Sequence, residues 1–193
     1  MKSAAALGWL CALALALALR CPQLGVRPMH NDEAVNAVKF RALWEQSSYR
    51  YDPNEHHGPT LAYSTLLLNR LTGAPDFVHF TEARFRFVTV LFGIGLILLL
   101  PLVKDALGGA LLWAAMFTAV SPAMVFYSRD YIHEILVVFF TFLAIASGWR
   151  YYRSEKIGWS AVTGAAVGLM SATKETFVIA LAAAGAALAL NWI

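Results

Sequence analysis

Charged residues are scarce in this chain. They make up 14% of its 193 positions, where a soluble domain carries about a quarter. With 59% hydrophobic residues and a mean hydropathy of +0.59, that deficit argues against a solvated globule and for a polytopic membrane protein. Blocks of like charge are missing as well. The net charge is +3 and the isoelectric point near 9.0, yet the basic residues scatter to the ends of apolar runs. Such scatter suits topology signals and phosphate contacts and excludes a nucleic-acid footprint. Only two cysteines occur, Cys11 and Cys21, in and just after the first apolar run. They make neither a disulfide framework nor a metal pair. No internal repeat is visible.

What the sequence does have is a series of apolar stretches and one long polar segment. Residues 4–19 form the first apolar run. By length it could be a cleaved signal peptide, and Leu19-Arg20-Cys21 loosely resembles a lipoprotein processing site, but an Arg just before the Cys argues against that. The preferred reading is a retained signal-anchor helix. From Arg86 onward, further spans are expected at about 85–103, 108–126, 132–151, 157–173 and 176–193. Pro101, Gly108-Gly109, Ser121-Pro122, the Arg150-to-Lys156 cluster and Lys174-Glu175 punctuate them. The last two are rich in small residues, as helices that pack backbone to backbone in lipid require. The expected fold is therefore an all-α polytopic membrane protein with about six transmembrane helices, its bundle over about 85–193.

The polar segment, about 20–84, is expected to carry two juxtamembrane helices. Asn31 or Asp32 caps the first, over residues 33–46, with Phe40 and Trp44 at the membrane surface. The second runs from Thr60 to Leu71 after Gly58-Pro59. Its roughly 12 residues fall short of the ~20 that span a bilayer. With a cytoplasmic N-terminus, the turns around Lys104 and Arg150–Lys156 become cytoplasmic, in keeping with the positive-inside rule. The polar segment, the Tyr127–Glu134 turn and Lys174-Glu175 then share the extracytoplasmic face. Cleavage of the first helix would leave this parity unchanged.

Four groups of residues on that face could do chemistry. Asp32 and Glu33 read either as helix caps or as a general base at the membrane surface; one residue can be both. Asp130, His133 and Glu134, at i, i+3 and i+4, read as an interfacial salt-bridge network or as ligands for a divalent metal ion. Lys174 is a snorkelling cation or a phosphate contact. His56-His57 in a Pro/Gly-bounded loop reads more readily as surface residues than as ligands.

In order and spacing these residues resemble the membrane-bound GT-C glycosyltransferases. Within them the similarity is to the protein O-mannosyltransferase-like branch, which uses polyprenyl- or dolichyl-phosphate sugars. The motifs are His30-Asn31-Asp32-Glu33-Ala34, His57-Gly58-Pro59, the run from Arg86 to Gly93, Ser121-Pro122 with Tyr127-Ser128-Arg129, Glu134, and Thr173-Lys174. The form RPMHNDEA with DPNEHHGP is closest to a subgroup labelled flippase-activity-associated. Members of the family run to several hundred residues, so the 193 residues read as the N-terminal part of a catalytic module.

The resemblance implies a mechanism. Asp32 is the general base with Glu33 beside it. Arg86, Arg129, Lys174, His57 and Tyr127 bind substrate, and the anomeric centre inverts. A metal on Asp130, His133 and Glu134 is the one cofactor it leaves open. The implied partners are a polyprenyl- or dolichyl-phosphate-linked sugar, membrane lipids and an acceptor protein or glycan, at the extracytoplasmic face of the plasma membrane. The rivals are a non-enzymatic helper of lipid-linked sugar translocation, a transporter or an assembly scaffold. A transporter places its charges near the midplane, whereas here they sit at helix ends.

Overall fold

The computed structural model describes residues 2–51, 57–74 and 76–190, with side chains from residue 5 onward. His56, Pro75 and Asn191-Trp192-Ile193 lie outside the described residues. Among the described residues all regular structure is helical. The apolar runs give α1 (Lys2–Arg20), α4 (Glu82–Leu99), α6 (Leu111–Val120), α8 (Glu134–Ser154), α9 (Ile157–Ser171) and α10 (Phe177–Leu190). The polar segment gives α2 (Asn31–Gln46) and α3 (Thr60–Leu71); α5 (Lys104–Leu107) and α7 (Pro122–Ser128) are short.

Two runs, Glu82–Val120 and Glu134–Ser154, are long and apolar enough to cross a membrane; Ala5–Arg20, Ile157–Ser171 and Phe177–Leu190 are shorter apolar helices. The first run is not one rod. Gly108 adopts φ +50°, ψ −125°, a conformation that is costly for any residue with a Cβ, and α6 folds back on α1 and α4. The helix expected over 108–126 is also interrupted. Pro122 has no N–H to donate, Ser121 turns extended at ψ 121°, and its Oγ accepts from the Met124 N–H at 3.5 Å, restarting the chain as α7.

Small residues let α1 and α6 approach closely: Ala12 and Ala16 on one, Ala115 and Ala119 on the other, are fully buried. Arg20 seals that pair. Its guanidinium donates to Ala16 O, to Thr118 O at 2.9 Å and Ala119 O at 2.7 Å, and to Ser128 Oγ at 3.2 Å. The last carbonyls of α6 thus take a cation at their negative pole.

At this end of the bundle α2 and α3 lie over α4 and α8. Their shared core is aromatic. Phe40, expected at the membrane surface, is instead wholly buried and touches Trp44, Phe77, Phe80 and Phe85 at centroid distances of 5.3–6.4 Å. The opposite end is clamped by Arg150 on α8, 2.9 Å from Asp105 in α5. The candidate residues among the described ones lie at the α2–α3 end.

Candidate active site

The cap of α2 builds the site. It is His30, not Asn31 or Asp32: its Nδ1 accepts from the Asp32 N–H, while the Glu33 carboxylate reaches back to the His30 N–H at 2.9 Å. This reciprocal capping box turns the two adjacent acids in opposite directions. The Asp32 side chain is 70% exposed, and among the described residues its one charged neighbour is the His30 imidazole at 3.9 Å. Glu33 is 0% exposed.

Around Glu33 the donors converge. Arg86 Nε and Nη2 form a fork on its two oxygens at 2.7 and 2.8 Å, the Tyr131 N–H donates at 2.8 Å, and Arg27 Nη2 lies at 3.2 Å. Burial pushes this carboxyl up, but the Arg86 fork and the Tyr131 and His30 N–H groups outweigh it and bring the pKa down to about 2. Arg86 is itself committed to the protein. Its remaining donors go to Leu24 O, Arg27 O and Pro28 O at 2.6–3.1 Å, so all five guanidinium N–H bonds have partners within the chain. Expected to contact substrate, Arg86 instead fastens the 24–28 loop and the start of α2 to α4.

Asp130, His133 and Glu134 were expected on one helical face. The helix begins only at Glu134, and residues 129–133 form a bend, so Asp130 parts from His133 and Glu134. Asp130 pairs with Arg27; burial raises its pKa and Arg27 opposes that rise. His133 packs tilted against His57 at a 4.7 Å centroid distance, and Glu134 takes Lys174 Nζ at 2.7 Å. Among the described residues no three His, Cys, Asp or Glu side chains gather as metal ligands. The set does not fit a divalent ion.

A second cluster forms where the chain before α3 meets the turn between α9 and α10. Residues 57 and 174 pair as an antiparallel bridge, the Gly58 N–H donates to Thr173 O at 3.1 Å and the Thr60 N–H to Ala172 O at 3.2 Å. A Cβ at Gly58 would run into the Ala172 carbonyl, so only glycine allows this approach. His57, half-buried, has Nδ1 3.7 Å from the Glu175 carboxylate. His133 is buried; burial first, and then His57, lower its pKa to about 3, which keeps it neutral. Lys174 and Glu134 remain partly open, at 18% and 34% exposure.

Arg129 gives Nη1 to Leu19 O and Arg20 O at 3.0–3.1 Å, leaving Nε and Nη2 without partners among the described residues. It lines an open depression of about 440 Å³ with Arg27, Arg86 and Asp130. Tyr127 is exposed and packs edge-on against Phe126. The structure thus joins Glu33, Arg86 and Asp130 in one cluster and His57, His133, Glu134 and Lys174 in another, with Asp32, Arg129 and Tyr127 at the surface.

Sequence reading missed the residues that stitch these clusters together. Asn36 Nδ2 donates to Tyr131 O at 3.1 Å, and the buried Tyr131 hydroxyl meets Thr65 Oγ1 at 2.7 Å. Arg27 bridges Glu33 and Asp130. Arg20 was noted only as the residue before Cys21, and Arg27 only as the start of the RPMHNDEA form.

Residues 56–193 match the family model described as dolichyl-phosphate-mannose-protein mannosyltransferase. The chain belongs to that family. No curated protein and no solved structure matches it. Membership, together with the apolar helices, makes the chain a membrane protein of a glycosyltransferase family, specifically a mannosyltransferase-like one. The matched stretch holds Arg86, Tyr131, Glu134 and Lys174. Asp32 and Glu33 precede it, but Glu33 is bonded into it through the Arg86 fork and the Tyr131 N–H.

Proposed function

We propose that this protein transfers mannose or a related sugar from a polyprenyl-phosphate donor to an acceptor hydroxyl on a protein or glycan. The reaction lies at the extracytoplasmic face of the plasma membrane and inverts the anomeric centre. The six-span arrangement, with α2 and α3 at the membrane surface, belongs to this reading. The observation that carries it is the division within the acid pair: Glu33 is buried and fully bonded, whereas Asp32, next to it, presents a bare carboxylate.

Asp32 takes the acceptor O–H proton as that oxygen attacks the anomeric carbon. The bond from that carbon to the phosphate oxygen breaks, and the lipid phosphate leaves with the electron pair. The sugar becomes oxocarbenium-like in passing, so negative charge gathers on the phosphate. Cations placed in advance to meet that charge lower the barrier most. Arg129 has Nε and Nη2 to offer, and Lys174 can swing from Glu134. Arg86 is a positioning residue: through Glu33 it fixes the α2 N-terminus and hence Asp32. His57 holds the Lys174 turn in place, and Tyr127 flanks the entrance.

The test is transfer of label from a polyprenyl-phosphate [³H]mannose donor by the full-length protein in membranes. Asp32→Asn should abolish transfer while the melting temperature stays put. Turnover at the wild-type rate removes Asp32 as base. Label that crosses the bilayer still attached to lipid, with none on acceptor, favours translocation instead.

A further inference from the structure

We propose that a groove along the outer side of α4, separate from the Asp32 site, binds one anionic membrane phospholipid whose headgroup carries hydroxyls. The groove has two parts that meet at Leu68. The upper part, with about 870 Å³ of free space, lies between the end of α3, the start of α4 and the 21–24 turn; Arg84, Asn69, Thr72 and Gln23 supply its polar wall. The lower part, about 540 Å³, is almost wholly apolar and runs past Val88, Leu91 and Phe92 to Gly95 and Phe139. A polar mouth above a hydrocarbon slot is the shape of an amphiphile.

Two side chains at the mouth lack partners a ligand would supply. Asn69 is fully buried; its Nδ2 donates to Thr65 O at 2.8 Å, but among the described residues its Oδ1 accepts from nothing. A buried acceptor left bare is costly, and a headgroup hydroxyl would satisfy it. Arg84 packs over the Phe80 ring at 5.6 Å and has no carboxylate partner among the described residues. A guanidinium fixed at the membrane surface beside a greasy slot suits a phosphate.

The length of the groove selects the kind of lipid. From Arg84 to Gly95 is eleven residues of one helix, about 16 Å at 1.5 Å per residue. One leaflet of hydrocarbon is about 15 Å deep, so the slot fits an ordinary acyl chain rather than a long isoprenoid. Neither Asp32, Arg129 nor Lys174 lines it. A lipid held there is not placed for transfer.

The experiment compares phosphatidylglycerol with phosphatidylcholine of the same chains. Lipid retained by the purified full chain is measured by mass spectrometry, and melting is followed on adding each lipid to the detergent-solubilised protein. Phosphatidylglycerol should remain at about one per chain and raise the melting temperature by several degrees, and phosphatidylcholine should do neither. Arg84→Gln should cut phosphatidylglycerol retention about tenfold without changing the lipid-free melting temperature. Leu91→Trp, which fills the slot from a position already exposed to lipid, should do the same with Arg84 intact. Equal effects of the two lipids, or full retention by Arg84→Gln, overturn the proposal. Displacement of phosphatidylglycerol by polyprenyl monophosphate at lower concentration also overturns it, by giving the groove to the donor.

Discussion

The two ion-pair clusters at the α2–α3 end have similar chemistry and opposite exposure. Glu33–Arg86 is sealed from solvent, and every donor of the Arg is bonded. Glu134–Lys174 rests on a single 2.7 Å contact and is partly open. The first holds the chain together through a network whose donors are already satisfied. The second keeps a charge that can be redirected. Burial, more than residue type, separates the two pairs.

The harshest way to break that comparison is to damage the sealed pair. Glu33→Gln keeps the shape but leaves Arg86 buried without a counter-charge, a loss on the order of 3–5 kcal/mol. For a chain of this size that lowers the melting temperature by roughly 10 °C, measurable by differential scanning fluorimetry in detergent, and transfer falls with it. Arg86→Lys should not rescue, because an ammonium has three donors and no fork for the five acceptors now served. A Glu33→Gln protein that melts like wild type would remove Glu33 as the fastener.

Asp32→Asn makes the complementary cut. The side chain is exposed, so stability should move by less than about 0.5 kcal/mol. Loss of a general base typically costs 10²–10⁴-fold in rate, read as kcat in the mannose-transfer assay. Of two neighbouring acids, one substitution destabilises the fold and the other is expected to stop transfer.

How much of this was legible beforehand follows from the same physics. Most helix positions came through because apolar length and Pro/Gly punctuation are local signals; α3, at Thr60–Leu71, was read to the residue, while the span expected over 108–126 is split into α6 and α7. The family was legible from the order of motifs. What failed were partners, which depend on contacts between residues tens of positions apart. Asp130, His133 and Glu134 have helical spacing, but the helix starts at the last of them, so spacing implied a shared face that does not exist. Phe40 was assigned to the membrane surface from its type, and the packing of the 77–85 segment over it was invisible. Arg86 was assigned to substrate by the family resemblance, on the motif from Arg86 to Gly93. That its five donors close on Glu33 and three loop carbonyls needs coordinates.

Acid sharpens the comparison by titrating the two regions in sequence. His133, held neutral at about 3 against an ordinary 6.5, is protonated more readily in the unfolded chain, so stability falls as pH drops below 6.5. Glu33 has a folded pKa of about 2 against 4.5. Its contribution is complete above 4.5 and disappears as pH falls towards 2, about 3 kcal/mol in all. Asp130, raised by burial, has the opposite sign and partly offsets that loss. Melting temperature against pH should therefore decline in two steps. Glu33→Gln should flatten the lower one and His133→Asn the upper; a single step unaffected by either variant contradicts the assignment.

The smallest effect separates a structural Lys174 from one that meets phosphate. Lys174→Met removes the charge but keeps the stem. Because Glu134 is 34% exposed, water can solvate it once the partner is gone, and the stability change should stay under about 1 kcal/mol. A lysine that only pairs with Glu134 leaves kinetics unchanged. One that leaves Glu134 for the donor phosphate raises the donor KM, by about tenfold for one lost charge-assisted contact of 1.4 kcal/mol. If the contact tightens as the phosphate departs, kcat falls as well, because only interactions stronger in the transition state accelerate the step. Glu134→Gln decides between these. Freed from its carboxylate, Lys174 should bind donor more tightly and lower KM, whereas a purely structural pair predicts a slightly less stable protein with the same KM.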